Sequence, residues 1–216
     1  MVIYITYFND EVPQYCELKI NNNTIAVPDS SDWDYNYWYV DSTHAYVYYG
    51  FGVYSGDIPE LGNIYEGQDL DYYIKINNTT NTGSLEIPYQ PYGTFPDFDL
   101  EENYTFDWTI QKSPDLHYIY FEIWDWDYET GVYKNLQQSG SIREYTISKS
   151  LYQHLEGFDE FYCDIDAINY HRNGSFLAMS SKYDSYEEGW KSENPFDREL
   201  HRKRLIKALL NDLRSE

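Results

Sequence analysis

Tyr104-Thr105-Phe106-Asp107-Trp108-Thr109-Ile110 alternates large apolar or aromatic side chains with short polar ones along its whole length. In an extended chain successive side chains point to opposite faces. Tyr104, Phe106, Trp108 and Ile110 therefore share one face, and Thr105, Asp107 and Thr109 share the other. Wound into a helix, the same residues would scatter around the axis, so the pattern specifies a half-buried strand. Runs of the same character recur on both sides, at Val2–Phe8, Tyr15–Ile20, Tyr37–Val40, Ala45–Tyr54, Asp71–Ile76 and Ser84–Ile87. They continue at His117–Trp124, Ile142–Ile147, Glu160–Ile168 and Ser175–Ser180. Each is rich in Tyr, Ile, Val or Phe and is bounded by turn-forming residues. Asn173-Gly174 between two runs is a hairpin signal, and Gly50 and Gly52 within an aromatic run mark a bulge or a close approach. Many short strands with turn punctuation predict an all-β chain, an antiparallel β-sandwich.

Composition agrees. Aromatic residues make up 19% of the 216, and 26 of them are Tyr, which suits a pleated, half-buried surface better than a helix interior. Trp38-Tyr39-Val40 followed by Tyr46-Val47-Tyr48 echoes Trp108-Thr109-Ile110 followed by Tyr118-Ile119-Tyr120. Two tandem sandwiches could produce this echo, but aromatic strands resemble one another by chance, so the expectation is a single sandwich domain over residues 1–184, with two small sandwiches as the alternative.

The last stretch, residues 185–216, changes character. Asn194 suits an N-cap and Pro195 a first helical position, and Ile206, Leu209, Leu210 and Leu213 fall at i, i+3, i+4, i+7. Arg202, Lys203, Arg204 and Lys207 surround that stripe. The spacing predicts an amphipathic C-terminal helix that packs onto the sandwich, its bases neutralising part of an acidic body.

The body is acidic indeed. The net charge is −22; residues 187–216 hold seven acids and seven bases, and the remaining 30 acids face only 8 bases. Such a surface repels nucleic acid and anionic membrane and attracts basic proteins or divalent cations. Met1 to Phe8 is apolar but lacks a basic leader, and no stretch is long enough to span a bilayer, so a cytoplasmic location is expected. Cys16 and Cys163 make no disulfide framework. Asn-x-Ser/Thr triplets at Asn22, Asn77, Asn78, Asn103 and Asn173 predict nothing in an Asn-rich chain without an export signal.

Glu122-Ile123-Trp124-Asp125-Trp126-Asp127 ends a strand and turns carboxylates into a loop, as a sandwich does when it presents oxygens to a hard cation. Upstream, Glu66-Gly67-Gln68-Asp69-Leu70-Asp71-Tyr72-Tyr73-Ile74-Lys75 is another acidic loop running into a strand. Together with Tyr104–Trp108 and with Gly174-Ser175-Phe176-Leu177-Ala178 as a closing strand, these segments resemble a C2 domain over residues 44–183, with N-terminal strands added. Tyr72 stands where that family has proline, and Tyr65 and Tyr133 where it has loop aspartates. The resemblance implies calcium as cofactor, held by Glu66, Asp69, Asp71, Asp125 and Asp127, and a loop end that contacts a protein partner, or a membrane only with calcium. Asp32, Trp33, Asp34, Trp124, Trp126 and Glu129 are the acidic and aromatic residues expected at a partner.

Catalytic patterns are thin. The five histidines are scattered, and there is no phosphate-binding loop, nucleophile elbow or Cys-x-x-Cys. The chain therefore reads as a non-catalytic binding module whose partner is a protein with a basic surface. Two other readings stay open. An acidic inhibitor or immunity-type protein would place clustered carboxylates, as at Asp29–Trp38 and Asp97–Glu102, in the basic cleft of a nuclease. A carbohydrate-binding sandwich would use aromatic platforms.

Overall fold

The structure, a computed structural model, describes residues 2–7, 14–25, 34–39, 45–54, 63–125, 130–173 and 176–189; in 2–7, 34–39, 45–54 and at 130 and 135 it describes the backbone alone. Among these residues the chain is all-β and its paired strands are antiparallel. The predicted C-terminal helix lies outside the described residues. Among the described residues fourteen strands follow one another: β1 (Val2–Tyr7), β2 (Cys16–Ile20), β3 (Asn23–Ile25), β4 (Asp34–Tyr39), β5 (Ala45–Tyr54), β6 (Asp69–Ile76) and β7 (Thr79–Glu86) come first. Then come β8 (Tyr92–Thr94), β9 (Tyr104–Thr109), β10 (Leu116–Asp125), β11 (Thr130–Ser139), β12 (Glu144–Ile147), β13 (Glu160–Asn173) and β14 (Phe176–Glu188). β13, which ends at Asn173, and β14, which begins at Phe176, are hydrogen-bonded neighbours, as expected of the strands on either side of the hairpin signal. Residue 184, read from sequence as the end of the sandwich, lies inside β14.

The chain divides into two compact units, residues 1–88 with 168–182 and residues 89–167 with 183–216. In the first unit β3, β2, β6 and β7 form a four-stranded sheet, while β14, β1, β5 and β4 are neighbours in another. Two-residue turns set the registers of the four-stranded sheet. Asn21 and Asn22, with φ of 50° and 65°, join β2 to β3, and Asn77, with φ of 51°, opens the turn from β6 to β7. Asn tolerates this left-handed backbone better than other side chains, and the mirror-image turn it makes matches the strand twist. β6 shows the result: Leu70, Tyr72, Ile74 and Ile76 are buried while Asp69 and Asp71 are exposed. The core of this unit joins those four with Leu18, Ile20, Ile25, Leu85 and Ile87, and with Phe176 and Ala178 of β14. At its polar edge the Tyr72 hydroxyl meets Nδ1 of His171 at 2.6 Å and donates to Oδ1 of Asn81 at 3.2 Å.

In the second unit β12, β9 and β8 form a three-stranded sheet, and β11, β10 and β13 are neighbours in another. β9 has the predicted alternation, with Tyr104, Phe106 and Trp108 buried and Thr105, Asp107 and Thr109 exposed. Its three aromatics pack with Ile119, Phe121 and Ile123 of β10, Phe161, Cys163 and Ile165 of β13, and Ile147 of β12. The core is thus largely aromatic, and ring contacts such as Tyr104 edge-on to Phe161 at 4.7 Å give it directional packing beyond simple area burial.

Candidate functional site

The second unit builds one acidic loop to a fixed shape, Asp97–Glu102. Phe98 in its middle is turned inward and 6% exposed, stacked on Phe161 at 4.2 Å and edge-on to Tyr152 and Phe158 at 5.2 and 5.0 Å. Its neighbours Asp97, Asp99, Glu101 and Glu102 all face solvent. Phe98, with Leu100 half-buried against the same core, fixes the loop's orientation among four carboxylates, the burial of the ring being worth roughly 2–3 kcal/mol.

Polar bonds then fix the backbone. The Phe98 N–H donates to the Glu188 carboxylate at 3.0 Å, and the Glu101 N–H donates to Oδ1 of Asp99 at 2.8 Å, an aspartate turn that closes the loop on itself. The Tyr152 hydroxyl donates to the Glu102 carbonyl at 2.5 Å and accepts the Tyr104 N–H at 3.1 Å. Tyr104 in turn donates its hydroxyl to the Pro96 carbonyl at 3.1 Å. Lys149 bridges from the short 3₁₀ turn Lys149–Leu151, with its ammonium 2.9 Å from the Glu101 carbonyl and 2.7 Å from the Glu101 carboxylate. The Tyr186 hydroxyl donates to Asp97 at 3.2 Å, and burial and the flanking carboxylates Glu188 and Asp97 push its pKa up to about 12, so it remains a donor at any ordinary pH. The result is an ordered run of negative charge, suited to meeting a basic surface without first losing conformational entropy.

The residues singled out as calcium ligands are placed differently. Glu66, Asp69 and Asp71 belong to the first unit and Asp125 to the second. The Glu66 carboxylate pairs with Lys182 at 2.8 Å, Asp69 and Asp71 stand on the exposed side of β6, and Asp125 is buried. Asp127 lies outside the described residues. Among the described residues no group of three or more His, Cys, Asp or Glu side chains is placed to hold a metal ion.

Of the expected partner residues, Asp32, Trp33, Trp126 and Glu129 lie outside the described residues, and Asp34 is seen as backbone in β4, opposite Gly50. Trp124 is half-buried, with its ring across Gly131 of β11, where an added Cβ would come within 2.2 Å of Cε3. Tyr15, Tyr65, Tyr92, Tyr133 and Tyr183 are large and exposed, between 40% and 64%. Tyr15 carries Lys75 over its ring at 5.6 Å and borders an open cleft with Gln14, Asn77 and Asn78.

Both cysteines are free thiols. Burial pushes Cys16 up to about 12 and Cys163 well above the usual thiol range, so neither supplies thiolate at neutral pH. Sequence reasoning noticed the carboxylates of Asp97–Glu102 but missed Phe98 as their anchor; an aromatic between acids is the available signal. No helix among the described residues is long and apolar enough to cross a membrane. Compared with known proteins, the chain matches no family model and no curated sequence.

Proposed function

We propose that this chain is a non-catalytic binding module that engages a protein with a basic surface through the acidic loop Asp97–Glu102. The frame behind it is read as a C2-like β-sandwich carrying a C-terminal amphipathic helix. Supporting the sandwich is the way aromatics of β9 share one core with the alternate residues of β10 and β13. The observation that carries the functional reading is the burial of Phe98 between exposed carboxylates, since a loop kept only for solubility needs no such anchor. Charge steers the encounter, and exposed tyrosines such as Tyr92 supply contact area at low entropic cost.

The acid excess over residues 89–189, 19 carboxylates against 6 bases, also favours the inhibitor reading, in which the loop imitates a run of phosphates. One titration addresses both. A basic ribonuclease serves as probe, its binding to the chain followed at low and high salt, with and without competing duplex DNA. Asp97→Asn, Asp99→Asn, Glu101→Gln and Glu102→Gln together keep the hydrogen-bond acceptors and remove the charge. Loss of binding in this variant with an unchanged melting temperature supports the loop as the contact, and competition by DNA points to phosphate mimicry. Equal binding by the variant would remove the loop from the account.

A further inference from the structure

In the first unit the chain enters β2 through Gln14 and Tyr15, beside the Asn77-Asn78 turn that joins β6 to β7. Hydrogen bonds fasten the two together: the Gln14 and Tyr15 N–H groups donate to Oδ1 of Asn77 at 2.7 and 3.2 Å, and the Asn77 N–H donates to the Tyr15 carbonyl at 2.9 Å. The Tyr15 side chain is held as well. Its hydroxyl donates to Glu17 at 3.2 Å, and the Lys75 ammonium stands over its ring. A large side chain left 51% exposed ordinarily samples several rotamers, whereas this one is fixed at its backbone, its hydroxyl and its ring.

Around it lies an open cleft of about 560 Å³, lined by Gln14, Tyr15, Lys75, Asn77 and Asn78. That volume falls within the ~300–1,000 Å³ of small-ligand sites, and the lining has their make-up, an aromatic surface with a few polar groups. The polar groups are available for a ligand. Among the described residues the side-chain amides of Gln14 and Asn78 make no hydrogen bond. Lys75 makes no ion pair among them either; Glu17, which Lys19 holds at 2.7 Å, acts on it only at longer range. Although the chain has 37 acids against 15 bases, no carboxylate among the described residues lines the cleft.

We propose that this cleft binds an uncharged saccharide, with one pyranose ring laid against Tyr15 and its hydroxyls taken by Gln14, Lys75 and Asn78. The chemistry matches group by group. A pyranose offers a C–H face that packs on an aromatic ring and a rim of hydroxyls that both donate and accept. Amides answer those hydroxyls in both senses, and an ammonium answers as a donor. A metal cation or a basic peptide finds a lysine there in place of a carboxylate. A polyanionic glycan meets the field of a chain carrying −22, which a neutral sugar does not feel. Because the ring and the chain beneath it are already held, little conformational entropy is lost on binding. The cleft belongs to the first unit and the Asp97–Glu102 loop to the second, so this mode of recognition does not rest on that loop.

The test screens the full chain on an array of neutral glycans beside uronate- and sialate-bearing ones, then titrates the best ligand by calorimetry. Neutral glycans should be retained, with the same affinity at low and high sodium chloride, since the ligand carries no charge to screen. A contact made through Asp97–Glu102 instead weakens with salt. Tyr15→Ala should reduce affinity about tenfold or more, and Tyr15→Phe, which keeps the ring, by no more than about threefold. Asn78→Ala, in the exposed turn, should reduce it about threefold to tenfold and reports on the cleft even if Tyr15→Ala fails to fold. Tyr65→Ala removes another exposed tyrosine of the same unit and should leave the affinity as it is. Melting temperatures check that each variant is folded. Retention of no neutral glycan, a preference for acidic glycans, or equal binding by folded Tyr15→Ala or by Asn78→Ala would each overturn the proposal.

Discussion

The indole N–H of Trp108 donates to Nε2 of His117 at 3.2 Å, inside the core of the second unit. An indole nitrogen can only donate, so Nε2 must be the bare nitrogen and Nδ1 must carry the proton, which points to the Asp166 carbonyl at 3.4 Å. Arg143 also approaches Nε2, at 3.3 Å, and the ring is fully buried. β9, β10 and β13 are therefore joined through one neutral imidazole.

A pH dependence follows. Burial pushes the His117 pKa down from 6.5 to about 4, with the Arg143 charge adding to the shift. Between those values the unfolded chain binds a proton that the folded chain refuses. The contribution is full above about pH 6.5 and is lost as pH falls towards 4, amounting to about 3 kcal/mol at most. His117→Phe should flatten that slope and cost about 1–3 kcal/mol at neutral pH, because the Trp108 N–H then lacks its acceptor. Urea unfolding of both proteins at about pH 7.5 and about pH 5 measures it; parallel losses in the two would exclude His117 as the cause.

Tyr152 and Glu101 both secure the acidic loop, and they should differ sharply when altered. Tyr152→Phe leaves the buried Tyr104 N–H without its acceptor and frees the Glu102 carbonyl, for an expected loss of about 1–3 kcal/mol. Glu101→Gln breaks an ion pair whose carboxylate side chain is 84% exposed, so the change should stay within about 1 kcal/mol. Thermal melting of the two variants decides whether the loop hangs on its buried tyrosine or on its surface charge.

Much of the fold was legible in strands with a clear period. Ala45–Tyr54 has the expected bounds, and the β9 alternation became the core face. β11 was missed because Thr130–Ser139 is largely polar; its register comes from β10 alongside it. β3 and β8, at three residues each, are too short to show a period. β7 was expected only from Ser84, since Thr79–Gly83 reads as a turn until β6 supplies a partner strand. Asn21-Asn22 was the turn signal overlooked, because its two positive φ angles are a property of the backbone. Charge partners were less legible still: Glu66 pairs with Lys182, 116 positions away, which no local pattern could announce.

Gly131 permits one aromatic to lie flat on β11. A methyl group there would press on the Trp124 ring at 2.2 Å and on the Ile123 carbonyl at 2.8 Å. Gly131→Ala should therefore turn the indole out of its place, shift its emission to the red and cost about 1–3 kcal/mol. An unchanged spectrum would mean that the ring does not rest on this glycine.

Self-repulsion at a net charge of −22 makes the chain sensitive to salt, and the calcium expectation has to be separated from that general effect. Sodium chloride screens surface charge over about 10 Å at 0.1 M, so the melting temperature should climb with ionic strength in the presence of chelator. A calcium ion at Glu66 would have to compete with the Lys182 ammonium at 2.8 Å, and Asp125 is buried. Calcium chloride at matched ionic strength is thus expected to raise the melting temperature no further than sodium chloride does. A calcium-specific increment, abolished by Asp69→Asn with Asp71→Asn, would instead establish a cation site at the start of β6.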